Sequence, residues 1–417
     1  MAAALSKFLA PSAYIGPMGI LILFCLIYLI AVIVFLIWLK SAFSAHMKLS
    51  TSMHFLILLF LALMIALSSG FQVDYRSYLQ IWGRVTDGLN PWIFKTGEST
   101  GNNYGPAYNL LALFAYLHPL LPKCFFVFLW IGTIAWLDRL SMVDEHLDFR
   151  KRILIWLLIL VNPYFWRQIP LSAHFDILVA TCCLGAIHCQ KVRREILAGI
   201  WLGMGILFKF IPIVLLPFLC VQNRRIRPKT LVACSALVIL TFAVCYILWG
   251  DGVFHPLFYA GAQASERHSI YRFLRGEFSP LRLFMENPNV DFISLPSIVI
   301  LGVVLFFLHI KHNLETSAIS LMMLIGVLLL YNLGHSQYQI VPIYVGIYWF
   351  IVHSRRGDNI SKVVKFWLFY MAWISVIAPG LELAAGAKMA HEIKGIITFG
   401  IGAFFWWYLL KDSMAKV

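Results

Sequence analysis

Residues 19–39 run without a single charged side chain, and a chain built from such runs cannot fold as a soluble globule. At about 1.5 Å per residue, a helix of that length rises about 30 Å, the thickness of a bilayer's hydrocarbon core. Similar runs recur to the C-terminus and give eleven expected spans: 16–39, 51–70, 123–138, 153–170, 174–190, 230–249, 296–310, 316–333, 340–352, 366–380 and 396–410. The runs are continuous rather than alternating, which excludes a transmembrane β-barrel. Only 12% of residues are charged, against about a quarter in soluble chains. The expected fold class is therefore an all-α polytopic membrane protein, organised as one integral-membrane domain over residues 1–417. The first run is too long for the core of a cleaved signal peptide.

The formal charge of +14 does not point to nucleic acid. Its basic residues fall in short clusters between apolar runs, as membrane topology requires. Four clusters, around 139–152, 191–194, 224–229 and 355–365, are expected inside. The main outward loops are then 71–105 and 250–295, with shorter ones at 334–339 and 381–395. The eight cysteines have no CxxC spacing, so neither a disulfide framework nor a zinc site is indicated. Two stretches strain the scheme. Residues 196–221 are too short to leave and return as full spans, so two half-helices meeting near Lys209 and Pro212 are expected. Residues 106–122 are apolar without a crossing to make, and read as re-entrant or interfacial.

The polar residues of interest lie on the outward side. Asp74 stands just past the second span, flanked by Tyr75 and Arg76; Tyr104 follows in the same loop. A carboxylate on a rigid helix end suits a general base and equally suits a helix cap. A second group, Arg167, His174 and Asp176, separates two apolar runs. Lys209 interrupts an apolar run, where an unpaired ammonium costs about 3 kcal/mol on insertion scales and so needs a partner or a wet cavity. Arg267 and Arg272 put basic charge into an outward loop, against the general trend, and forked guanidinium groups suit phosphate. His335, Gln337 and Tyr338 form a compact polar turn late in the chain.

Read in order, these segments resemble the GT-C membrane glycosyltransferases that use polyprenyl-phosphate sugars, most nearly the catalytic subunit of the first mannosyltransferase of GPI-anchor synthesis and its bacterial relatives. The likeness spans about residues 50–350. It rests on Val73-Asp74-Tyr75, Gly88-Leu89-Asn90-Pro91-Trp92, Tyr104-Gly105-Pro106, Asn162-Pro163 through Asp176, Lys209 with Pro212, and Ser336-Gln337-Tyr338. The resemblance implies an outward active site, inversion at the sugar, and Asp74 as general base. It also implies a polyprenyl- or dolichol-phosphate donor with a lipid-linked, glycan or protein acceptor. Gln72 stands where the family has the first acid of an Asp-x-Asp pair, so no metal and no cofactor is expected.

That chemistry is coherent without the family. A polyprenyl phosphate leaves without protonation, so the site needs cations at the phosphate and a base at the acceptor hydroxyl. Lys209, His335 and the loop arginines are candidates for the first role. The resemblance makes mannose the favoured hexose; a bacterial plasma membrane is the favoured location, with the lumenal face of the ER as the alternative. A transporter or flippase of a lipid-linked or small polar substrate is the rival reading, since buried lysines and broken helices occur there too.

Overall fold

The computed structural model describes residues 51–93, 102–143, 162–222, 224–259, 270–275, 293–331, 335–354 and 387–414, with a few isolated positions between them. The expected span 16–39 and most of 366–380 lie outside the described residues.

Helix α1 (Thr51–Ser68) is followed by Gly70, whose φ of +64° turns the chain, and α2 (Val73–Thr86) departs at 78° to α1. The composition of α2 explains that departure. Tyr75, Tyr78, Ile81 and Trp82 are buried at helical spacing on one side, while Asp74 and Arg76 are exposed. Such a helix lies along an interface rather than through apolar lipid. A single-turn-per-three-residue segment (Pro106–Leu111) leads into short α3 (Ala112–Leu117), where Leu113, Tyr116 and Leu117 are exposed. That pattern fits the interfacial reading of 106–122.

Helix α4 (Leu121–Val143) carries a buried lysine near its start. Lys123 Nζ donates to Ser69 Oγ and, at 2.9 Å, to the Gly70 carbonyl, placing its cation at the electronegative C-terminal end of α1. Helix α5 (Pro163–Trp166) runs into a π-helical turn (Arg167–Leu171), and α6 (Asp176–Lys191) leaves it bent by 111°. Helix α7 (Glu195–Phe208) packs against α6 and against α9 (Pro228–Trp249). The approach to α9 requires Gly199: a Cβ there would come within 2.4 Å of the Thr230 carbonyl, the close backbone contact small residues permit in membrane bundles.

Lys209 ends α7 in extended conformation, and the chain resumes through a tight turn (Ile211–Leu215) and α8 (Leu216–Cys220). The expected pair of broken helices is therefore present. A two-residue hairpin follows, β1 (Val221–Gln222) antiparallel to β2 (Arg225–Ile226). Beyond α9 come α10 (His255–Tyr259), α11 (Ile270–Leu274), α12 (Ser294–His312), α13 (Thr316–Leu330), α14 (Ile340–Ser354) and α15 (Ala387–Met414). Helix α13 is buried along nearly its whole length, packed among α12, α14 and α15. Helices α9 and α12 expose Ile239, Leu240, Ile247, Ile300, Val303 and Phe307, an apolar coat that suits lipid contact.

Among the described residues four helices are long and apolar enough to cross a membrane, or six if each bent pair is one span. The expected number of eleven is not confirmed, since 16–39, most of 153–161 and most of 366–380 lie outside the described residues. The runs 174–190, 316–333 and 340–352 do become helices, but of 16, 15 and 15 residues. Each rises about 24 Å or less, short of the hydrocarbon core when taken alone.

Candidate active site

Three segments converge: the start of α2, the turn between α5 and α6, and the break after α7. Asp74 lies in the first turn of α2, where a carboxylate complements the helix N-terminus. Its side chain is 54% exposed. Its neighbours point elsewhere. Tyr75 is fully buried and its hydroxyl donates to the Pro119 carbonyl at 2.6 Å. Arg76 Nε donates to the Phe71 carbonyl at 2.8 Å. Read from sequence as substrate contacts, Tyr75 anchors α2 to the base of α4, and Arg76 binds the α1–α2 turn. Gln72 precedes the helix, its side chain turned back to the Ser69 carbonyl.

The turn after α5 holds Ala173 at φ +56°, a left-handed conformation that an alanine adopts only when its surroundings hold it there. Backbone hydrogen bonds from Ala173 to the Ile169 carbonyl and from His174 to the Gln168 carbonyl fix it. The turn aims the His174 ring at α2. Nε2 lies 3.7 Å from Asp74 Oδ2, and Nδ1 lies 3.4 Å from the Tyr78 hydroxyl. Burial, reinforced by Lys209, Arg167 and His335, pushes this imidazole down to about 3. The ring is neutral at physiological pH, so its approach to Asp74 is polar rather than ionic. Arg167 is exposed, beside this turn.

Lys209, held by the broken helix, reaches Asp176 at the start of α6: Nζ donates to Oδ1 at 2.6 Å. The ammonium also sits 3.7 Å from the centre of the Tyr338 ring and 5.5 Å from that of Phe175. The partner that Lys209 requires is thus supplied within the chain. Sequence reasoning assigned that part to a substrate phosphate, and separated Lys209 from Asp176 as independent substrate contacts. Oδ2 of Asp176 is buried and has no hydrogen-bond partner among the described residues. His335 stands edge-on to Tyr338, ring centres 5.4 Å apart, and Gln337 lies half-buried in the same turn (Ser336–Gln339).

Tyr104 joins the two halves. Its ring lies 4.8 Å from Phe175 and 5.7 Å from Tyr78, edge-on to both. Gly105 permits this, since its amide donates to the Phe208 carbonyl and a Cβ would lie 2.2 Å from the Leu207 carbonyl oxygen. Tyr108 completes the aromatic wall, 4.5 Å from Tyr104 and 4.9 Å from Phe175.

The structure therefore brings together Asp74, Tyr104, Arg167, His174, Asp176, Lys209, His335 and Tyr338. Arg267 lies outside the described residues; Arg272 falls in α11, with its side chain outside them. Sequence reasoning missed Tyr78 and Phe175, although the helical spacing of Tyr75, Tyr78 and Trp82 on an otherwise polar segment marks that face of α2.

A family model described as "Glycosyltransferase family 87" matches residues 103–332, just over half of the chain. The match takes in Tyr104, Arg167, His174, Asp176 and Lys209, and ends just short of His335. No curated protein matches the chain.

Proposed function

Since the chain belongs to glycosyltransferase family 87 and is a membrane glycosyltransferase, we propose that it transfers a hexose, mannose favoured, from a polyprenyl-phosphate sugar to an extracytoplasmic acceptor. The acceptor is lipid-, glycan- or protein-linked. The family assignment removes the rival transporter reading. The observation that carries the proposal is the pairing of an exposed carboxylate, Asp74, with cations grouped around His174, namely Lys209, Arg167 and His335.

In this reading the acceptor oxygen attacks the anomeric carbon as the C1–O bond to the phosphate breaks. Asp74 takes the hydroxyl proton, and the polyprenyl phosphate leaves carrying the electron pair of the broken bond. Attack opposite the leaving group inverts the anomeric centre. The departing oxygens gain negative charge, which Lys209, His335 and Arg167 meet electrostatically without supplying a proton. Tyr104 and Tyr338, both half-buried, offer the aromatic faces on which a sugar packs. The architecture is GT-C-like, with the site on the extracytoplasmic face of a bacterial plasma membrane, or the lumenal face of the ER.

The test uses purified protein in liposomes with radiolabelled polyprenyl-phosphate mannose, glucose or galactose and a membrane lipid extract as acceptor. Acceptor-dependent release of polyprenyl phosphate with a labelled product supports the proposal. Turnover of nucleotide sugars alone would overturn it.

A further inference from the structure

We propose that His174 is the positioning residue for Asp74, donating Nε2–H to one carboxylate oxygen so that the other faces the acceptor hydroxyl. The inference rests on the transferase reading above and deepens it.

The exposures of the two side chains set their order. Asp74 is 54% exposed and His174 7% exposed, so an acceptor reaches the carboxylate first and the ring stands behind it. A histidine acting as base would need the opposite arrangement. The proton positions follow from the chemistry of the neighbours. A carboxylate can only accept, so the nitrogen facing Asp74 is the one that carries the proton. In a neutral ring Nδ1 must then accept, and the Tyr78 hydroxyl stands 3.4 Å from it. Tyr78 spends its one proton on His174. The result is one directed chain, Tyr78 to His174 to Asp74, in which each donor has an acceptor.

The backbone is committed to this orientation. Ala173 holds φ +56° and the His174 amide is tied to Gln168, a strained turn whose consequence is the direction of one ring. The charged groups around the ring are Asp74 from α2, Lys209 from the break after α7, Arg167 from the π-helical turn and His335 from the late polar turn. Three of the four are cationic or can become so, which favours a ring that donates while neutral. The 3.7 Å separation is longer than a formed hydrogen bond. A small rotation of the exposed Asp74 side chain closes it, as catalytic contacts commonly tighten when substrate arrives.

The experiment compares H174N, H174Q, Y78F and D74N in liposomes, with radiolabelled polyprenyl-phosphate mannose and the lipid extract. The readouts are kcat, donor KM and the pH profile of kcat/KM. Gln carries an N–H at about the reach of Nε2; Asn does not. H174N is expected to lower kcat about tenfold with donor KM within twofold. Its acid limb should move up by about 0.5–1 pH unit, because a carboxylate that loses a donor holds its proton to higher pH. H174Q should return the limb to the wild-type position, and Y78F should fall between. Equal losses in H174N and H174Q with an unmoved limb would overturn the proposal, leaving a structural role for the ring. If H174N does not accumulate, an unmoved limb in Y78F has the same meaning. An active D74N would instead sink the transferase reading with Asp74 as base; an inactive D74N beside an unshifted H174N would sink only the role of His174.

Discussion

Lys209 and Asp176 form a buried ion pair, Nζ to Oδ1 2.6 Å, in which the carboxylate is 1% and the ammonium side chain 9% exposed. The two residues come from a helix break and a helix start that have no sequence proximity. Their contact sews α7 to α6, close enough for Lys209 to act electrostatically on both His174 and Asp74.

Removing one partner leaves the other charged and buried. We expect D176L or K209M to lose about 3–5 kcal/mol of stability, and the double variant to recover most of that loss. Thermal unfolding of the four proteins in one detergent, analysed as a double-mutant cycle, checks this. Equal and additive losses would mean that the pair contributes nothing as a pair.

His174 gives a second expectation, with a definite sign. Its ring titrates near 3 in the folded protein against 6.5 for an exposed histidine. Between those values the unfolded chain binds a proton that the folded chain does not, so stability falls as pH drops below about 6.5. At pH 5 the contribution is about 2 kcal/mol. Relative to H174Q, the wild-type protein should lose thermal stability on acidification from pH 7 to pH 5 and differ by a constant above pH 7. A difference that is flat across the whole range would contradict the burial argument.

Gly105 is the third test point. An added Cβ would lie 2.2 Å from the Leu207 carbonyl oxygen, a backbone atom that cannot move aside as a side chain can. G105A should force Tyr104 away from the end of α7, costing about 1–3 kcal/mol and lowering transfer at least tenfold. The control is G83A, where no described residue outside the helix's own neighbouring backbone lies within 4 Å of the added atom. Comparable losses in both would show that the 102–108 segment is not held by this approach.

The parts of the fold legible in the sequence are those governed by local composition. Among the described residues the continuous apolar runs are helices, and the break at Lys209 falls where an embedded lysine and a nearby proline make it necessary. What sequence left hidden is governed by packing. Nothing in the spacing of Asp176 and Lys209 announces their contact, because it depends on the 111° bend between α5 and α6 and the position of α7 against α6. Tyr75 looked like a substrate residue because it adjoins Asp74. On a helix, however, consecutive side chains point in different directions, and Tyr75 took the buried side. Lys123 drew no notice at the head of an apolar run, yet it ties that helix to the turn before Asp74.

The central claim is that Asp74 is the base of a membrane glycosyltransferase, and D74N in the liposome assay tests it most directly. The amide keeps the shape and hydrogen-bonding reach of the side chain and cannot take a proton. Single-turnover transfer from radiolabelled polyprenyl-phosphate mannose should fall by about 100- to 10,000-fold, the range a general base contributes, with expression and donor binding unchanged. Transfer by D74N at the wild-type rate would contradict the account.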